Sequence, residues 1–191
     1  MTGMFSKIFS KEQIPNWLIV FKLIGSYIIL SLCFKIYVGI LNPGGTLYFP
    51  LLSKFSLIDG ILFALVYPCI AILKLLGFTT KHSQNMVGVT DGITVFIQFA
   101  CLGIKIMIAY TSLLIAFPGR KKIIFWVLGL IAIHCLNILR IVAIIVGFSH
   151  DRRIVHLTHD MFNYFGYACV CLFFYYWYTK HGYFSKSNIE R

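Results

Sequence analysis

The stretch that decides the fold runs from Ile123 to Phe148 and reads IIFWVLGLIAIHCLNILRIVAIIVGF. Neither proline nor an acidic residue interrupts it, and it is longer than the roughly 20 apolar residues that a helix needs to cross a hydrocarbon core. A helix apolar on every side belongs in a large protein core or in lipid. Three polar residues stand inside this run: His134, Asn137 and Arg140. A mid-helix arginine in a bilayer costs about 2.5–3.5 kcal/mol on insertion scales, so each of these groups calls for a reason.

Working outward, Pro118-Gly-Arg-Lys-Lys122 precedes the run and ends an earlier apolar stretch sharply. That third span is expected from Ile93 or Cys101 to Phe117. A second is expected over Leu57–Leu76, with Pro68 inside, and a first over Trp17–Leu41, broken by Asn42-Pro-Gly-Gly45. On the other side, Ser149–His159 reads as a polar loop and Met161–Tyr178 as a fifth span. Gly77–Gly92, polar and rich in Gly and Thr, reads as a loop. The expectation is an all-α polytopic transmembrane helical bundle of about five to six spans. Residues 1–16 form an N-terminal segment, 17–178 the membrane unit and 179–191 a basic tail.

Composition agrees. Apolar residues are 59% of the 191 and charged residues 12%, against roughly 45–50% and 25% in soluble domains. Seventeen Lys and Arg face six Asp and Glu. The basic residues sit beside apolar runs, a pattern of membrane topology and not of nucleic-acid binding. By the positive-inside rule the loop carrying Arg120, Lys121 and Lys122 is cytoplasmic, and the tail after the fifth span lies with it. The segments Gly77–Gly92 and Ser149–His159 then face outward. Five spans would put the N-terminus outside, against the sign of Lys7 and Lys11, unless Gly44–Phe55 adds a short or re-entrant span. The run Trp17–Leu41 is too long for a signal-peptide core and no small-residue cleavage site follows it. The six cysteines include no Cys-x-x-Cys pair, which gives no sign of a zinc ribbon or a thioredoxin motif.

Asn137 and Arg140 are three residues apart and share one helical face. Arg140 snorkelling, or Asn137 joining two helices, is the plain reading; an anion-binding or oxyanion-stabilising pair facing the bundle interior is the functional one. His150, His156, His159 and Asp160 make either a solvated loop or a site. His156, His159 and Asn163 could share one side of a helix start, where the charge of Asp160 suits the helix dipole. Cys101 stands in Phe99-Ala-Cys-Leu-Gly-Ile104, with Gly103 permitting close backbone approach. Alone, such a cysteine is more often inert core than nucleophile. Depth changes the balance: the expected topology brings Cys101, Arg140 and His159 to the same outer end. A thiol needs a base or a nearby positive charge to become a thiolate. A nucleophile, a base and a charged group together have the logic of covalent acyl transfer.

Ala100-Cys101-Leu102-Gly103, then Asn137-Ile-Leu-Arg140, then His159, in that order and on successive spans, resemble the exosortase/archaeosortase family of membrane transpeptidases in its short form. The resemblance covers about Asp91 to Tyr178. It implies a membrane-embedded cysteine peptidase or transpeptidase that cuts C-terminal sorting signals of exported proteins at the outer face of the cell membrane. Its substrates would be membrane-anchored proteins ending in a short motif, one transmembrane helix and a basic tail. Carried over, Cys101 is the nucleophile, Arg140 the charged stabiliser and His159 the general base or acid, with Asn137, Gly103 and Asn163 in support. Neither a cofactor nor a metal is implied. Gln98-Phe99 and Leu102 stand where many members have an acidic residue before the motif and a serine after the cysteine.

Two other classes remain open on the sequence. A metal-dependent membrane hydrolase would use His150, His156, His159 and Asp160, since His-x-x-His spacing can hold zinc. It lacks the glutamate of His-Glu-x-x-His. A non-enzymatic transport or assembly protein would be expected to show paired acids within the spans or an inverted repeat, and the sequence has neither.

Overall fold

The structure, a computed structural model, describes residues 16–41, 56–83, 85–90, 92–150 and 154–182. Within them the order is helix α1 (Asn16–Leu41), α2 (Leu57–Leu75), strands β1 (Thr80–Ser83), β2 (Met86–Val89) and β3 (Thr94–Phe96), a 3₁₀ turn (Phe99–Leu102), then α3 (Ile104–Ala116), α4 (Lys122–His150) and α5 (Ile154–His181). The molecule is a mostly helical membrane bundle. Trp17–Leu41, Leu57–Leu75 and Lys122–Gly147 are each long and apolar enough to cross a membrane.

Three sequence expectations are corrected. Gly77–Gly92 is not a plain loop. It begins an antiparallel sheet, β1-β2-β3, in which Lys81 pairs with Gly88 and Val87 with Val95. Strands of three and four residues are too short to print a period-two signal; Val87 and Val89 nonetheless bury against the α2 core. The third span is shorter than expected. Gly103 adopts a left-handed backbone with φ 69° and separates the 3₁₀ turn from α3, leaving 13 helical residues, about 20 Å. Finally, the end of the expected polar loop is helical: α5 starts at Ile154, because polar residues in its first turns still form helix when the rest of the helix packs.

α2 contains its own explanation for His134. Pro68 lies inside the helix and has no N–H, so the carbonyl one turn earlier, Ala64, loses its helical donor. The His134 Nε2 of α4 sits 3.1 Å from that oxygen. A carbonyl only accepts, so the imidazole nitrogen donates. The Cys69 thiol donates to the Ile138 carbonyl at 3.8 Å. These two ties run in step, 64 to 134 and 69 to 138, so α2 and α4 are parallel.

α3 runs antiparallel to α4: Gly103, at its start, lies against Asn137, and Tyr110, further along, lies against Gly129. The Tyr110 hydroxyl donates to the Phe125 carbonyl at 2.7 Å, and the Trp126 indole to Thr111 Oγ1 at 3.0 Å. Tyr110 is fully buried and its ring lies across Gly129, where an added Cβ would stand 2.1 Å from ring carbon Cε1. Gly129→Ala is therefore expected to lower stability by about 1–3 kcal/mol through overpacking. Thermal unfolding in detergent checks this, and Tyr110→Ala in the same chain should recover part of the loss; an unchanged midpoint in Gly129→Ala would show that the ring moves freely.

At the far end from the sheet, the Pro118–Lys121 turn is clamped to the end of α5. Arg120 N–H donates to the His181 carbonyl at 2.9 Å, the buried Trp177 indole donates to the Arg120 carbonyl at 3.0 Å, and Gly119 pairs with Gly182. This is the basic end. α1 starts there too: Lys22 lies within electrostatic reach of Lys122, and Leu41, at its other end, packs on the core shared with the sheet. α1 and α2 thus run in the same direction. The linking segment, including Gly44–Phe55 with its expected extra span, lies outside the described residues, as do Lys7 and Lys11.

Candidate active site

The site is built at the top of the short helix α3. The 3₁₀ turn closes with Cys101 N–H donating to the Gln98 carbonyl at 2.8 Å. Leu102, 1% exposed, anchors the turn in the core, while Cys101 is half-buried. Gly103 then reverses into the left-handed region, and its carbonyl accepts from both Ile106 and Met107 to start α3. Any residue with a Cβ in that conformation is strained by about 1–2 kcal/mol.

α4 meets this turn with the face that carries Asn137 and Arg140. The Asn137 side-chain N–H₂ donates to the Cys101 carbonyl; the acceptor fixes which way the amide points. The Asn137 amide also lies 3.5 Å from where a Gly103 Cβ would be, so the turn passes over it at van der Waals distance. Asn137 and Arg140 are 5% and 6% exposed. Arg140 shares a small cavity with Gly103, Ile106, Asn137 and Gly166, of about 20 Å³, room for one water. Its Cα stands about 27 Å along α4 from Lys122, far from the basic end. The guanidinium is always charged, and its burial is tolerable only with polar company.

The structure thus brings together Cys101, Gly103, Asn137 and Arg140. His159 and Asn163 stand on α5, seven and three residues before Gly166 and on its side of the helix by register. Their side chains lie outside the described residues, as do those of His150, His156 and Asp160. Among the described residues no three His, Cys, Asp or Glu side chains gather as a metal site.

Gly166 is the wall that sequence reasoning missed. A Cβ there would come within 3.2 Å of Ile106 Cδ1. Its seven-residue spacing from His159 was the available signal. Ile133 and Leu136 line the cavity and also a larger apolar groove of about 520 Å³ between α4 and α5, whose rim residues Leu139, Leu172 and Tyr176 are exposed on the bundle's outer surface.

Asn137→Leu removes the donor from the Cys101 carbonyl at nearly constant volume. The expected loss is about 1–3 kcal/mol of stability, with faster alkylation of Cys101 as the turn loosens. A thiol-labelling time course reads the second effect, and an unchanged labelling rate would detach Asn137 from the position of the turn.

A charged asparagine–arginine face buried against a cysteine-bearing turn, inside a bundle of apolar helices, defines a polytopic membrane protein with a polar site enclosed between its helices. The chain belongs to the transmembrane exosortase family: the family model described as Transmembrane exosortase (Exosortase_EpsH) matches residues 64–176, which enclose every site residue named above. The match begins in α2, well before the expected Asp91. No curated protein and no solved structure matches the chain.

Proposed function

We propose that this chain is a membrane-embedded cysteine peptidase or transpeptidase that cleaves C-terminal sorting signals of exported proteins at the outer face of the cell membrane. The observation that carries the reading is the hydrogen bond from Asn137 to the Cys101 carbonyl, which ties the thiol-bearing turn to the helix face that also carries the buried Arg140. Family membership supports it, as does the distance of this face from the basic end, which the positive-inside rule assigns to the cytoplasm.

In this mechanism His159 takes the proton of the Cys101 thiol, and the thiolate attacks the scissile carbonyl carbon. Negative charge develops on the carbonyl oxygen, and Arg140 stabilises it as a preplaced cation in a water-poor site. The tetrahedral adduct collapses by breaking the C–N bond. His159 returns the proton to the departing amine. An amine acceptor or water then attacks the thioester carbonyl as His159 takes its proton; the C–S bond breaks, the product leaves, and His159 returns the proton to the departing Cys101 thiolate. The substrate's own membrane helix fixes the carbonyl in place, lowering the barrier by orientation.

The test is processing of a tagged reporter that ends in a short motif, one transmembrane helix and a basic tail, co-expressed with the chain. Shortening that depends on the chain, with the new carboxyl terminus at the outer edge of the reporter helix, is the expected result. A cut at the basic-tail side would place the active end wrongly.

A further inference from the structure

β3 is the edge strand that leads into the cysteine turn. The Val89 N–H donates to the Ile93 carbonyl at 3.1 Å and the Ile97 N–H to the Asn85 carbonyl at 2.9 Å. In an antiparallel pair, residues that exchange hydrogen bonds alternate with residues whose main-chain groups point away from the partner. Val87 pairs with Val95 in the same register, so Ile93, Val95 and Ile97 bond inward to β2. Thr94 and Phe96 turn their N–H and C=O groups to the outer edge. Among the described residues no hydrogen bond is made to that edge.

The two edges of the sheet differ. β1, Thr-Lys-His-Ser, carries exposed Lys81 and His82, and charged side chains, lysine above all, keep an edge strand from pairing. β3, Thr-Val-Phe, has no such guard, and Phe96 is 62% exposed. β1 and β2 rest on α2 and β3 rests on α4. A further strand beside β3 therefore falls on the α5 side of α4, where Arg140 shares its cavity with Gly166. β1 folds back along α2, its His82 ring 6.2 Å from that of Tyr67. Both β1 and β3 thus run toward the basic end, and β3 points its chain at Cys101. An exported protein whose membrane helix ends in a basic tail runs the same way.

We infer that the outer edge of β3 receives the extended segment of the substrate just before the cut, as a fourth and parallel strand. This rests on the proposed peptidase activity and adds which part of the substrate is held, and how. One substrate residue, opposite Val95, donates its N–H to the Thr94 carbonyl and accepts from the Phe96 N–H. The residue two before it accepts from the Thr94 N–H, and the residue two after it donates to the Phe96 carbonyl. The edge offers main-chain donors and acceptors at strand spacing, which an extended peptide matches. A helix or an acyl chain cannot, because the first has used its main-chain groups and the second has none.

The experiment measures processing of the tagged sorting-signal reporter by the purified full chain in liposomes. The reporter is made by cell-free translation, with each residue before the cut replaced in turn by its α-hydroxy acid. That change keeps the side chain and exchanges the N–H for oxygen. Processing is expected to fall about three- to tenfold at two positions separated by one insensitive residue. On the enzyme, Phe96→Pro lacks the outward N–H and should lose a similar factor relative to Phe96→Ala, which keeps it. His82→Pro, the same change at an outward-facing residue of the other edge, should process like the wild type. The ester series uses the wild-type chain, so it decides the matter even if Phe96→Pro misfolds. Undiminished cutting of every ester reporter, or losses at consecutive residues, overturns the added strand and leaves the peptidase reading standing. So does equal processing by folded Phe96→Pro and Phe96→Ala. Failure of the wild type to cut the unmodified reporter overturns the activity and the strand with it.

Discussion

Cys101→Ala is expected to abolish processing of a sorting-signal reporter, a fall of about 10³-fold or more, in line with loss of a nucleophile elsewhere. The fold should survive. Cys101 is only half-buried, its backbone makes the contacts that shape the turn, and removing one sulfur costs on the order of 1 kcal/mol. Cys101→Ser should be nearly as inactive, because a serine hydroxyl is far from ionised where a thiol is within reach of thiolate. Cys135→Ala is the matched control: it is also in the bundle, exposed on α4 and lining the apolar groove, but away from the turn. Cys69 makes a poorer control, since its thiol bonds Ile138. Shortening by the wild type and Cys135→Ala but not by Cys101→Ala establishes the requirement. Equal processing by all three would end the thiol mechanism and turn attention to the histidines of α5.

The bundle was legible because lipid imposes a coarse rule: long apolar runs ended by Asn-Pro-Gly-Gly or Pro-Gly-Arg-Lys-Lys become helices, and α1, α2 and α4 follow it to within a few residues. What the rule missed was decided by contacts distant in sequence. The strands near Val87 and Val95 exist because β2 has α2 to bury against and two partners to pair with. Neither is visible in a polar, glycine-rich stretch of that length. The short α3 follows from Gly103, whose left-handed φ cannot be told from an ordinary glycine in a span. His134 is conspicuous in the sequence beside Asn137 and Arg140, but its partner is the carbonyl that Pro68 releases in α2, a pairing that needs the parallel register of two helices. The Asn137–Arg140 face was readable from their three-residue spacing and from the cost of burying them. That Asn137 holds the Cys101 carbonyl was not, because depth alone says which groups share a level and not which touch.

Arg140 is the second place where a large effect is expected. Arg140→Gln should lower processing by about 10²–10³-fold, the usual cost of removing one preorganised group that faces a developing oxyanion. Arg140→Lys keeps the charge but loses the planar fork, so it should fall between. The difficulty is that Arg140 is buried, and its loss also strands the groups it bonds, at about 1–3 kcal/mol. Stability and chemistry must therefore be separated. Gly129→Ala supplies the comparison, since it lies on the same helix, away from the turn that carries Cys101, and costs a similar amount of stability. If Arg140 acts on the reacting carbonyl, the two variants should lose similar melting temperature while Arg140→Gln loses far more turnover. The loss should fall on the rate of thioester formation in a single-turnover reaction, with reporter binding little changed. If both variants instead lose activity in proportion to stability, Arg140 is a structural cation that closes the top of the bundle, and the oxyanion must be held by backbone N–H groups of the turn that carries Cys101.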